Sequence, residues 1–169
     1  MMYLSDCINK DPALTELFIV QSNYFVQAKE ARDRMGQAVL PVDDSIAKIK
    51  GSELGDLLDD DNIKSIIASL GVGISMGRGR GLLDLSCLRY GKVIIVCDET
   101  AAGIHIRAQI VTFFKRFNRP IMDRRRIFVP AQSVDASLTP SNFELQVMDR
   151  ATRSLVEITT GEPLPNEPD

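Results

Sequence analysis

The sequence predicts an α/β fold, with a mainly parallel central sheet and helices on both faces. Three observations predict it. Short apolar runs recur that carry no polar alternation, as strands buried on both faces do. Segments of helical periodicity separate them. The order is strand, helix, strand along most of the chain, the arrangement that builds parallel sheets by crossover connections.

Leu17-Phe18-Ile19-Val20 is the first such run, and a helix is expected from about Phe25 to Arg34, rich in Ala, Gln, Lys, Glu and Arg. Ala38-Val39-Leu40 reads as a second strand, stopped by Pro41. From Asn62 to Leu70 the residues Ile63, Ile66, Ile67 and Leu70 fall on one helical face, and Gly71 closes the helix. Gly71 to Gly81 carries five glycines and two arginines and reads as a loop. Lys92-Val93-Ile94-Ile95-Val96-Cys97 is the clearest strand, with Asp98 at its carboxyl end. A helix from about Gly103 to Phe117 follows, apolar at Ile106, Ile110, Phe113, Phe114 and Phe117, and ended by Pro120. Ile127-Phe128-Val129 is a further core strand. Thr139 caps a short helix whose first residue is Pro140, and Ser154 to Thr159 suits an edge strand.

The 169 residues suit one domain with a small appendage, and 44% apolar content is enough for a core. No run of about 18 apolar residues exists, so no membrane span is expected. No secretory leader is expected either, since the first residues lack its basic-then-apolar layout. Cys7, Cys87 and Cys97 match neither a disulfide framework nor a zinc spacing, so a reducing cytoplasm is the expected setting. Gly71-Val72-Gly73 lacks the downstream glycine, lysine and threonine of a phosphate-binding loop, and no ATP site is expected. The formal net charge is −3, but the charges are uneven. Asp56, Asp59, Asp60 and Asp61 form an acidic stretch; Arg107, Lys115, Arg116, Arg119, Arg124, Arg125 and Arg126 form a basic one. A basic face on an acidic protein suits either solvent or a phosphate-bearing or acidic partner. Gly77-Arg78-Gly79-Arg80-Gly81 reads as a basic loop.

Ligands of α/β sheets gather beyond the carboxyl ends of the strands. Two such ends stand out, Val20-Gln21-Ser22-Asn23 and Cys97-Asp98-Glu99-Thr100. Here a resemblance becomes specific. Glu16 to Val20, Ala28-Lys29, Arg32-Asp33-Arg34 and Gln37 to Pro41 resemble the first Toprim segment of the B subunits of DNA gyrase and topoisomerase IV. Leu88-Arg89-Tyr90-Gly91-Lys92 leads into Val93 to Asp98 as in that family, and Gly103, His105-Ile106-Arg107 and Thr112-Phe113-Phe114 continue it. Leu4 to Cys7 and Lys10 to Leu14 resemble its lead-in; Met148-Asp149 and Ala151-Thr152-Arg153 resemble the late part of those B subunits. The resemblance implies a Toprim (Rossmann-like) domain over residues 1–132 and a short helical and edge segment over 133–160; the proline-rich, acidic stretch 161–169 reads as a flexible tail.

The departures bear on chemistry. Active members carry E-G-D-S-A-G-G after the first strand, where this chain has Gln21-Ser22-Asn23-Tyr24-Phe25-Val26-Gln27. Their D-x-D-x-D-G is here Asp98-Glu99-Thr100-Ala101-Ala102-Gly103, keeping the first aspartate and the glycine. The basic P-L-R-G-K segment is Pro41-Val42-Asp43-Asp44-Ser45. In the family those acids hold the Mg²⁺ that assists phosphodiester cleavage and religation. An amide at Gln21, a hydroxyl at Thr100 and a methyl at Ala102 leave Asp98 as a weak metal site. Glu99 is expected to point away, and Cys97 to be a buried strand residue.

The resulting expectation is a catalytically inactive homologue of these B subunits, needing no cofactor. Its partners are expected to be a topoisomerase A subunit, DNA or both, with Arg32, Arg34, His105, Arg107, Lys115 and Arg116 as the contact residues. His105 and Arg107 could equally serve packing. The alternative is a diverged but functional Mg²⁺-dependent cleavage domain, and a folded remnant is the third possibility.

Overall fold

The computed structural model describes residues 3–74 and 83–158. The expected strands and helices are present, in the expected order, together with two short helices that were not expected, at Leu54–Leu57 and Arg119–Asp123. They are β1 (Glu16–Gln21), α1 (Phe25–Ala31), β2 (Gln37–Val42), α2 (Leu54–Leu57), α3 (Asp61–Leu70), β3 (Lys92–Val96), α4 (Ala101–Phe117), α5 (Arg119–Asp123), β4 (Ile127–Pro130), α6 (Pro140–Phe143) and β5 (Leu155–Glu157). The five strands form one sheet in the order β2-β1-β3-β4-β5. The first four are parallel, and β5 pairs antiparallel with β4 as the edge strand.

Alternate side chains of the central strands enter two separate cores. Leu17, Ile19, Val93 and Ile95 face α3, α4 and α5, packing with Ile63, Ile66, Ile106, Ile110, Phe113 and Ile121. Phe18, Val20, Ile94 and Val96 face the other way, onto Phe25 and Ala28 of α1 and onto Phe143, Val147 and Met148. Both faces of the sheet are therefore covered, which is why β1 reads as an unbroken apolar run. Val134, Leu138, Phe143, Val147, Met148 and Leu155 join the second core, while Ile158 packs against the first.

Several boundaries differ from the sequence expectation. Pro41 lies inside β2, which extends to Val42. A strand interior accepts proline at a sheet edge, and β2 is an edge strand. Helix α1 stops at Ala31 because Arg32 is extended (ψ 152°). Helix α4 begins at Ala101, two residues early, and ends at Phe117; Pro120 lies in the first turn of α5. Gly71 does close α3 in the left-handed conformation (φ 76°), and Thr139 caps α6 through the N–H of Asn142. The Gly77 to Gly81 tract, the tail over 161–169 and the last residue of the expected Ser154 to Thr159 strand lie outside the described residues.

Candidate functional site

The strand order reverses between β1 and β3, and their carboxyl ends bring Gln21 and Asp98 together. Crevices at such a switch point are where open α/β sheets hold ligands. Gln21 Oε1 accepts the backbone N–H of Asp98 at 2.9 Å. The Asp98 carboxylate is held from both sides. Its Oδ2 accepts the hydroxyl of Tyr24 at 2.9 Å. Its Oδ1 accepts the backbone N–H of Thr100 at 3.1 Å and also the Thr100 hydroxyl. The Thr100 oxygen in turn accepts the N–H of Gly103 at 3.1 Å, capping α4. Asp98, Gln21 and Tyr24 are all buried.

Gly103 is required by close approach. A Cβ there would stand 2.3 Å from both the carbonyl oxygen and Oδ1 of Asp98, and 2.8 Å from Gln21 Oε1. Burial alone would raise the Asp98 pKa. The bonds from Thr100 and Tyr24 outweigh it, and the acid is held below its ordinary value. Burial and the bond to Asp98 push the Tyr24 phenol up, so it remains a donor. Burial likewise pushes the Cys97 thiol up to about 12, which leaves no thiolate to act as nucleophile.

Two more acids lie near Asp98. Glu99 reaches back to Arg107 through two bonds, 3.0 and 3.3 Å long. Asp135 accepts the N–H of Ser137 at 2.7 Å and its hydroxyl. Asp135 follows Val134, whose backbone forms a parallel bridge with Asp98. Ala102 adds only a methyl group. Among the described residues no group of three His, Cys, Asp or Glu side chains is placed to hold a metal ion. A hard divalent cation needs several free oxygens, and here the amide oxygen and both carboxylate oxygens already take protein N–H or O–H groups.

The contact residues expected from sequence fall at two opposite ends of the sheet. His105 and Arg107 lie in the first turns of α4, beside Asp98. The His105 ring lies 3.3 Å from the carbonyl of Ile46, which can only accept, so Nε2 donates and the ring serves packing. Arg107 is neutralised by Glu99. Arg32, Arg34, Lys115 and Arg116 lie at the amino ends of the strands, roughly 17 Å away at the rise of a strand. Arg32 is tied inward to the carbonyls of Ser5 and Asp6 (2.7 and 2.8 Å), and Arg116 to those of Ile49 and Ser52 (2.9 and 3.1 Å). These bonds brace the neighbouring chain segments. Arg34 remains exposed and Lys115 half-buried, and neither forms an ion pair among the described residues. Tyr24 was not legible as a site residue, since nothing in its sequence neighbourhood signals a contact 74 residues away.

This arrangement defines an α/β domain of Rossmann type with one retained carboxylate at its switch point. Residues 16–131 match the Toprim domain family, and the chain belongs to that family. It is similar to the B subunits of DNA gyrase from Thermus thermophilus (37% identity over 127 residues) and Thermotoga maritima (39% over 127). It is also similar to the B subunit of the type 2 topoisomerase from Aquifex aeolicus (36% over 127). Each match covers 75% of this chain, but only 20%, 19% and 15% of the respective relatives. The chain thus corresponds to a small part of the curated relatives it matches.

Proposed function

We propose that this chain is a non-cleaving Toprim module that binds a type IIA topoisomerase A subunit, DNA or both, and so modulates gyrase or topoisomerase IV. The observation that carries the reading is the state of Asp98. Its carboxylate is closed off by Tyr24 and Thr100, and the position where an active member has glutamate holds Gln21, itself bonded to the Asp98 N–H. Metal assistance in phosphodiester cleavage depends on a cation placed between protein oxygens and phosphate. The fold that presents a partner surface is retained, while the groups that would grip the ion are replaced.

The nearness of Asp135 supports a second reading, a diverged domain that completes its metal site with that acid. Mn²⁺ titration followed by electron paramagnetic resonance separates the two. The first reading expects no specific site and no strand cleavage when the chain, a gyrase A subunit, Mg²⁺ and plasmid are mixed. Cleavage abolished by Asp98→Asn or Asp135→Asn would establish the second. Retention of the A subunit or DNA by immobilised protein, or inhibition of supercoiling, supports the modulator role. Loss of all three at low salt rules it out.

A further inference from the structure

Topology sorts the charges of this acidic protein into two poles. At the carboxyl edge of the sheet stand Asp43, Asp44, Asp61, Asp98, Glu99 and Asp135, while Arg107 and Lys64 are paired with Glu99 and Asp61. At the amino edge, Lys92 opens β3, and Arg124, Arg125 and Arg126 form the turn into β4. Arg150 joins them from the late segment, its Nε 3.2 Å from Glu16 at the start of β1. Lys92, Arg126 and Arg150 line one open depression of about 420 Å³, floored by backbone from Ala13 to Thr15 and by Gly91.

The acids here leave a surplus of positive charge. Glu16 is buried beneath the depression, held by Arg153 and Arg150, Arg150 also lies 3.5 Å from Asp33, and Glu157 sits 3.6 Å from Arg125, so the surplus rests on Lys92, Arg124 and Arg126. Asp123 borders the turn. Lys92 and Arg124 are exposed and form no ion pair among the described residues; Lys92 lies over the Phe128 ring at 5.6 Å. Arg126 is braced by the Gly91 carbonyl at 3.0 Å, which aims rather than neutralises it. Arg125 holds a left-handed backbone (φ 59°), a conformation that costs about 1 kcal/mol for a side chain other than glycine, with its head 76% exposed. The turn therefore presents arginines at some cost in strain.

We infer that this basic pole, and not the edge carrying Asp98, is a docking surface for the phosphodiester backbone of nucleic acid. The acidic edge repels phosphate, and no cation site among the described residues offsets it there. The basic pole carries guanidinium forks suited to phosphate oxygens and, among the described residues, no exposed aromatic anchor of the kind that dominates protein interfaces. Contacts of this sort are independent of base sequence and steeply salt-dependent. The inference stands apart from the reading of Asp98, because the pole binds phosphate whether or not the other edge holds a cation.

The test is fluorescence anisotropy with a DNA duplex of about 20 base pairs in rising NaCl. Engagement of about four phosphates weakens affinity about a hundredfold between roughly 50 and 200 mM. The double variant Lys92→Glu/Arg124→Glu is expected to lose at least about tenfold at the low-salt end and to flatten the salt slope by about two. Lys64→Glu, at the other edge, changes affinity less than about twofold. Circular dichroism melting checks that each variant folds; should the double glutamate variant not fold, Lys92→Gln/Arg124→Gln is measured for the same loss of slope. The inference is overturned if the duplex does not bind at low salt, if Lys64→Glu weakens binding as much as the double variant, or if polyglutamate competes better than DNA.

Discussion

At Asp98, two neighbouring hydroxyls, those of Tyr24 and Thr100, occupy the carboxylate in this structure. An aspartate at the end of a β-strand, flanked by acids, grips a cation. The same aspartate between a phenol and a threonine hydroxyl becomes an internal acceptor. Gly103 shows how little room is left. A Cβ would meet a backbone carbonyl at 2.3 Å, which cannot swing aside as a flexible side chain would. Gly103→Ala is therefore expected to destabilise the domain by about 2 kcal/mol, in the range of an overpacked core site, and calorimetry would show the lowered Tm. An unchanged Tm would mean that the turn from Asp98 to Gly103 is looser than its geometry indicates. The sequence announced Gln21 at one strand end and Asp98, Thr100, Ala102 and Gly103 at another. It did not announce Tyr24, whose hydroxyl reaches Asp98 only because the chain after β1 turns back over the end of β3.

Among the elements, β1 begins with a buried ion pair. Its first residue, Glu16, is buried at 5% side-chain exposure against Arg153 at 4%, with Arg150 and Gln37 Nε2 also bonded to it. Burial alone would raise the Glu16 pKa, but the bonds from Arg153 and Gln37 hold it below its ordinary value. A carboxylate depressed in the folded state contributes stability that is present above its unfolded pKa and lost as pH falls through the folded one. Stability is thus expected to fall as pH drops below about 4, the ordinary carboxylate value. Glu16→Gln leaves Arg153 buried without its charge partner, costing about 3 kcal/mol near neutral pH, and flattens the acid limb. Urea unfolding from neutral pH down through the carboxylate range checks both effects. An acid limb as steep in Glu16→Gln as in the parent would assign it to other acids. In the sequence, Glu16 looked like the polar edge of an apolar run. Its partners lie 134 and 137 residues away, so no local pattern could reveal them.

For the molecule as a whole, the late segment is part of the fold. Phe143, Val147 and Met148 cover the same sheet face as α1, and Tyr24 stacks on Phe143 with ring centroids 6.2 Å apart. Truncation after Ala131 would leave Phe18, Val20, Ile94 and Val96 partly bare and free Glu16 of both arginines. Such a chain is expected to lose its cooperative thermal transition and to bind a hydrophobic dye. A sharp two-state melt from the truncated chain would instead make residues 133–158 an accessory.

Much of the architecture was legible because it rests on near-neighbour physics. Runs such as Leu17 to Val20 and Lys92 to Cys97 require burial on both faces, and the helical periods between them require crossovers, so a parallel sheet follows from patterns a few residues long. The resemblance of the motif around Asp98 identified the family for the same reason, as short segments in fixed order. Long-range geometry lay beyond such patterns. Pro41 is tolerated because β2 is an edge strand, and Arg32 and Arg116 turn inward because carbonyls from distant loops await them. The basic residues of β3, the turn into β4 and the late segment gather at one pole because parallel strands place all their amino ends together. Charge and hydrogen bonding act through space, and only the folded chain sets which groups are near enough to neutralise one another.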